Sequence, residues 1–270
     1  MSEQTKIALE SGHWYDAKTG ESRYEITGKN GKLRATTIRD AREHGYVPSV
    51  TTILRVLARP GLENWLQDQV LESAATMPML PGQTEIEWRK LVKAESKLKS
   101  QQAAARGTAI HTAIERHAQG KTVEPEYFKH VNAVEIEMER ISLPLGYGKT
   151  EHSFAHADGF GGKTDWSSDV AIVDFKTKEK IEDDKTLQYD EHVAQLAAYA
   201  YGLGIVAPRC VNIFVGVNDC KVVSVEANPV EIEQGLEMFK LALRIWQLKN
   251  DFDPRKINEP IESKLERMGL

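Results

Sequence analysis

The chain contains only two cysteines, Cys210 and Cys220, in 270 residues. Two thiols cannot build a Cys₄ zinc or iron–sulfur site, and they suit a reducing compartment, where free thiols persist. Positive charge is not in surplus: 35 Lys and Arg stand against 40 Asp and Glu, a formal net charge of −5. This excludes a surface coated in positive charge. It leaves room for a local basic groove, because binding depends on where charges cluster. No apolar run approaches the roughly 20 residues that a membrane helix needs, so no membrane partner is expected. Residues 1–6 lack both the apolar core of a signal peptide and the Arg-rich, acid-free pattern of a transit peptide. A cytoplasmic setting is the expectation. What remains is an ordinary globular balance, 41% hydrophobic and 28% charged, which argues against intrinsic disorder.

The first fifty residues read as strands. Asn30-Gly31 is the strongest short hairpin signal among them, since both central residues of a type I′ turn need positive φ. Ser49 or Thr51 is placed to cap a helix reaching Leu57, before Arg59-Pro60-Gly61 breaks it. A second helix is expected over 62–76 and a linker over 77–82. Thr84 and Glu87 have capping-box spacing, and the helical pattern then runs to Gly120, with a break expected near Ser100. Further helices are expected over 126–141, 190–203 and 229–248, and strands over 148–155, 160–166, 170–177, 211–217 and 221–226. This order predicts an α/β fold, a mixed central β-sheet flanked by helices with an antiparallel meander at its heart. An N-terminal β-hairpin and helical region would occupy 1–83, and the α/β core 84–270.

Four short constellations carry chemistry. Val173-Asp174-Phe175-Lys176 ends an apolar strand, and alternation puts Asp174 and Lys176 on one face, about 7 Å apart along it. A carboxylate and an ammonium so placed suit metal-assisted hydrolysis, the Asp holding a hard cation and the Lys a water or developing charge. The bland alternative is an exposed ion pair ending a strand. One strand earlier, Gly161-Gly162-Lys163-Thr164-Asp165 supplies a second carboxylate and two glycines that permit close approach. Gly107, His111 and Glu115 recur at four-residue spacing on one helix face, and a neutral imidazole is a competent divalent-ion ligand. Gln195 and Tyr199 share a face of the 190–203 helix, where they can reach phosphate oxygens or stack on a base.

In that order, Gly-Thr-x-x-His, Gly-Gly-x-x-Asp, Val-Asp-Phe-Lys-Thr and Gln-x-x-x-Tyr resemble the RecB-like branch of the PD-(D/E)XK nuclease superfamily, across about residues 105–217. Upstream, Pro48-Ser49-Val50-Thr51-Thr52-Ile53-Leu54, followed by Leu62 and Trp65, is similar to phage-encoded exonucleases and to mitochondrial genome maintenance exonucleases. The resemblance implies that His111, Asp165 and Asp174 are metal ligands, with the Phe175 carbonyl, and that Lys176 is the catalytic lysine. Gln195 and Tyr199 would position DNA. Glu151 aligns with an additional acidic position, and Glu115 more loosely with another. Some relatives hold an iron–sulfur cluster on four cysteines; two cysteines exclude one here.

The resulting expectation is a Mg²⁺- or Mn²⁺-dependent DNA exonuclease in recombination, repair or replication, in a bacterium or a phage-infected host. It would act on single-stranded DNA or exposed ends, with the N-terminal region limiting access. A structure-specific endonuclease on the same metal core, or a non-catalytic DNA-binding recombination partner, are the alternatives. Protein partners are not legible. Arg89, Lys93 and Lys97 form one basic stripe, and Arg34, Arg39, Arg42, Arg55 and Arg59 a second concentration; either could track phosphates or simply face solvent. Trp14, Trp65 and Trp88 are candidates for base stacking, with core packing favoured for at least two of them.

Strand parity adds a geometric expectation. If Ser167 pairs with Val170, or Trp166 with Ala171, then Asp165 faces Ile172 and Lys163 faces Asp174, and both carboxylates share a sheet face. A three-residue loop would separate them unless a bulge at Gly161 or Gly162 restored parity. An even-length loop, or an odd one with that bulge, is expected.

Overall fold

A computed structural model describes residues 12–182 and 186–256 of the chain; the reading of residues 1–6 lies outside them. Strands β1 (Trp14–Asp16), β2 (Glu25–Thr27) and β3 (Leu33–Ala35) come first. β2 and β3 form the expected antiparallel hairpin, but not through a type I′ turn. Gly31 alone takes a positive φ, +73°, and its N–H donates to the Gly28 carbonyl at 2.9 Å. Gly28 in turn donates to the Lys32 carbonyl at 2.8 Å. A five-residue connection closed by one left-handed glycine replaces the two-residue turn.

A helix that the strand-like reading missed follows, α1 (Ile38–His44). Thr37 and Asp40 make a reciprocal capping box, and Gly45 ends the helix at φ +73°. β4 (Tyr46–Pro48) pairs antiparallel with β1. Ser49 then caps α2 (Val50–Leu54), and Pro60 sits in the first turn of α3 (Pro60–Thr76). The Thr84–Glu87 capping box opens α4 (Glu85–Ala118), a single helix of 34 residues. The break expected near Ser100 is absent, because the Ser100 hydroxyl donates to the Ser96 carbonyl at 2.9 Å and is satisfied within the helix. The chain continues as α5 (Phe128–Arg140), β5 (Lys149–His156), β6 (Phe160–Ser167), β7 (Ala171–Lys178), α6 (Asp190–Leu203), β8 (Arg209–Gly216), β9 (Val222–Ala227) and α7 (Pro229–Asn250).

The last five strands form one mixed sheet in the order β5-β6-β7-β8-β9. β5, β6 and β7 are antiparallel neighbours, β7 and β8 run parallel across the α6 crossover, and β9 returns antiparallel. Alternation gives each face its own core. Trp166, Val173, Phe175, Val211 and Ile213 pack with Ile110 and Ile114 of α4 and Val134 and Met138 of α5. On the other face, Phe160, Ile172 and Cys210 pack with Leu196 and Ala198 of α6 and Phe239 and Trp246 of α7. Trp14, Val50, Ile53 and Leu54 join this second cluster, so the N-terminal elements share the core of α6 and α7. Among the described residues, no helix is long and apolar enough to cross a membrane.

The β6–β7 connection is even, as expected, but the register is shifted by two residues from the predicted one. Ser167 pairs with Ile172 and Trp166 with Val173, enclosing residues 168–171. The Ser168 hydroxyl accepts the N–H groups of Val170 and Ala171, which holds the longer turn. Continuing this register sets Asp165 opposite Asp174, in place of Ile172, and parity is kept without a bulge.

Candidate functional site

The β6–β7 ladder pairs only Trp166 with Val173 and Ser167 with Ile172. Beyond them, the Phe175 N–H donates to the Asp165 carboxylate, Oδ2, at 2.8 Å. Asp165 thus bridges a seam where the two strands part. From the α4 side, His111 Nδ1 stands 3.6 Å from the same Oδ2, its ring edge-on to Phe175. α4 approaches closely enough because Gly107, one turn before, is buried under Thr177; a Cβ there would lie 2.5 Å from Thr177 Oγ1.

Asp174 is reached from the α6 side. Its Oδ2 lies 2.6 Å from Lys176 Nζ, and its Oδ1 accepts from Gln195 Nε2 at 2.7 Å. The Gln195 amide also donates to Tyr199 Oη at 3.1 Å and accepts from Lys176 Nζ at 2.9 Å. The six residues singled out in the sequence, His111, Asp165, Asp174, Lys176, Gln195 and Tyr199, therefore meet at one seam from four elements of the core. The ion-pair contact with Lys176 lacks hydrogen-bond alignment, so Asp174 Oδ2 is a buried acceptor without a hydrogen bond.

The electrostatics push the two carboxylates apart. Burial opposes ionisation of Asp165, but the adjacent His111 imidazole, then the Phe175 N–H, hold its carboxyl below the usual carboxylate range. For Asp174, burial dominates; Lys176 opposes it, the Asp165 charge reinforces it, and the net shift is upward. Burial works against protonation of His111, yet the adjacent Asp165 raises the imidazole above its ordinary value. Tyr199, buried beside both carboxylates, is raised well above the ordinary phenol and stays neutral.

Two acidic residues loosely placed by sequence also line this cleft: Glu115 and Glu151 stand around it with His111, Asp165 and Phe175. Glu151 lies on β5 in the register that opposes Asp165, with a left-handed backbone, φ +51°. That conformation is strained for a residue with a Cβ, and the carboxylate pairs with Lys163 of β6. No sequence signal marks the strain. His192, which the sequence reading did not single out, sits three residues before Gln195 on α6, where its Nδ1 accepts the Tyr189 N–H at 3.3 Å.

The proposed DNA-tracking stripes fare unevenly. Arg89 pairs with Glu85, and 1.5 Å per residue sets Lys97 about 21 Å and Arg89 about 33 Å along α4 from His111. Arg34 is bound by Asp40, and Arg42 by the carbonyls of Asn250 and Asp251. Trp14 is buried against Trp246 and Phe252, and Trp88 donates to the Met77 carbonyl at 2.6 Å.

No family model matches the chain, and no curated protein sequence does. Among solved structures it is similar to a protein named as a candidate exonuclease from Eubacterium rectale, at 15% identity and a TM-score of 0.37, over 54% of this chain and 68% of that one. It is also similar to SSO0001, at 13% identity and a TM-score of 0.29, over 67% and 85%. Likenesses this slight carry no conclusion about chemistry, which rests on the site itself.

Proposed function

We propose that this protein is a metal-dependent deoxyribonuclease, an exonuclease acting on single-stranded DNA or exposed DNA ends. The observation that carries the reading is the meeting of two carboxylates, an imidazole and a lysine at the β6–β7 seam, with a glutamine and a tyrosine holding the lysine and one carboxylate in place. An ordinary surface ion pair does not gather a buried acceptor, a cleft and four elements around itself.

A hard divalent ion fits the donor chemistry: carboxylate oxygens and one imidazole suit Mg²⁺ or Mn²⁺. Asp174 Oδ2 is buried, accepts no hydrogen bond and already faces a cation, Lys176 Nζ at 2.6 Å. The side chains as they stand are not closed around an ion; among the described residues, no three His, Cys, Asp or Glu groups are gathered into such a cage. Asp165, Asp174 and His111 would hold the metal, which when bound supplies polarisation of the scissile phosphodiester. Lys176 would orient the attacking water or hold developing negative charge. Gln195 restrains Lys176 and Asp174 together, and Tyr199 restrains Gln195.

The test is cleavage of 5′- and 3′-labelled linear DNA, single- and double-stranded, and of a single-stranded circle, with and without Mg²⁺ or Mn²⁺. Metal-dependent loss of linear substrate with the circle intact is expected, and Lys176→Ala should lower the rate by about 10²–10³-fold. A cut circle would replace exonuclease with endonuclease. A folded wild-type protein that cleaves none of them with either metal sinks the reading.

A further inference from the structure

Past Lys176, β7 continues to Lys178, two residues on and on the same face. Lys178 Nζ stands 5.8 Å over the ring of Tyr189. The same ring abuts the first turn of α3, where a Cβ on Gly61 would lie 2.9 Å from Tyr189 Cζ. Tyr189 therefore ties the start of α3 to the end of β7, beside the carboxylate seam. The residue preceding α3 is Arg59, which makes no side-chain cap. Its Nε is buried and has no hydrogen-bond partner among the described residues.

The contrast with five other arginines is informative. Arg34, Arg106, Arg140, Arg209 and Arg255 each pair with a carboxylate. Arg59 and Lys178 form no ion pair among the described residues, although Glu191 lies near enough for its charge to act on both. Burial, with Arg55 beside Arg59 and Lys176 beside Lys178, makes each cation harder to hold charged. Burial and the charges of Lys176, Lys178 and Arg59 also push the His192 imidazole down to about 3. A buried guanidinium nitrogen with no acceptor is destabilising unless something supplies the missing oxygen.

We propose that Arg59 and Lys178, walled by Tyr189 and with Arg55 at the rim, form a phosphate subsite for the nucleic-acid strand next to the carboxylate seam. Phosphate oxygens would supply the acceptor that Arg59 Nε lacks. Two residues along β7 separate Lys176 from Lys178, about 6.6 Å, so the subsite takes a neighbouring phosphate of the same strand. The assignment rests on the nucleic-acid reading of the seam and adds how the strand is held beyond it.

The experiment is fluorescence anisotropy with a short single-stranded oligonucleotide in EDTA, so that binding is read without turnover. Arg59→Gln and Lys178→Gln should each weaken binding about tenfold, with melting temperatures near wild type. Each should also reduce the slope of log affinity against log salt by about 0.7. Arg59→Lys should restore most of the loss. If Arg59→Gln fails to fold, Lys178→Gln and the exposed Arg55→Gln carry the test. Oligonucleotides with a 5′-phosphate, with a 5′-hydroxyl and in circular form separate the two sources of the oxygen. A loss confined to the first assigns a terminal phosphate, and an equal loss an internal one; either supports the subsite. A folded double variant with wild-type affinity and slope overturns it. Wild-type protein that binds through Arg59 and Lys178 but never cleaves would instead overturn the nuclease reading.

Discussion

The Asp165 carboxylate accepts the Phe175 backbone N–H at 2.8 Å, doing for β7 what a main-chain carbonyl of β6 would do in an unbroken ladder. One side chain thus closes the seam between two strands and faces His111 in the cleft. The two roles can be separated. Asp165→Asn keeps an acceptor for Phe175 and should fold with stability within about 1 kcal/mol of wild type, yet lose cleavage by about 10²-fold or more. Asp165→Ala leaves the Phe175 N–H unpaired and should cost a further 1–3 kcal/mol, roughly, in urea unfolding. Equal stability of the two variants would mean that the Phe175 bond contributes nothing.

Gln195 is the shared partner of Asp174, Lys176 and Tyr199. Gln195→Leu keeps the volume and removes all three bonds, so it should destabilise by about 2 kcal/mol and lower kcat more than KM. Denaturant midpoints at unchanged slope, together with steady-state kinetics, check both halves. An unchanged midpoint would show that the network adds no stability.

Gly162 lies under Tyr199. A Cβ there would come within 2.7 Å of Tyr199 Cε1 and 2.9 Å of Phe154. Gly162→Ala should therefore displace the tyrosine ring, destabilise by about 1–3 kcal/mol, and weaken activity without touching a charged group. Tyr199→Phe, which keeps the ring in place, should be much milder in thermal melting.

His192 makes stability depend on pH. Its folded value, about 3, lies below the ordinary value of 6.5, so the unfolded chain binds the proton more readily. The contribution is fully present above 6.5 and is lost as pH falls toward 3, at a slope approaching about 1.4 kcal/mol per pH unit. Between pH 7 and 5 most carboxylates stay ionised and this slope is visible. His192→Asn, which can still accept the Tyr189 N–H, should flatten urea-unfolding stability over that interval.

Much of the site was legible because it is periodic. Two-residue alternation set Asp174 and Lys176 on one face, and four-residue spacing set Gly107 with His111 and Gln195 with Tyr199. Other features turned on particular side-chain contacts that spacing alone does not reveal. Whether Ser167 would pair with Val170 or Ile172 turned on the Ser168 hydroxyl, which accepts two turn N–H groups; parity survived because both loops are even. α1 was hidden among strand-like residues although Thr37, Asp40 and Gly45 spell out its two ends. The candidate cations near the N-terminus could not be sorted by sequence. Arg34 is occupied by Asp40 within its own segment, while the charges of Arg59 and Lys178, more than a hundred residues apart, both act on His192.

Glu151 holds a left-handed backbone in the middle of β5, opposite Asp165. Such a conformation costs on the order of 1 kcal/mol for any residue but glycine. A selection for thermal tolerance that ignores activity should therefore accept Glu151→Gly, since the half-exposed pair with Lys163 offsets little of that strain. The same exchange strips a carboxylate from the cleft. Robustness and catalysis would then pull this one position in opposite directions, and a library sorted first by melting temperature and then by DNA cleavage should split there.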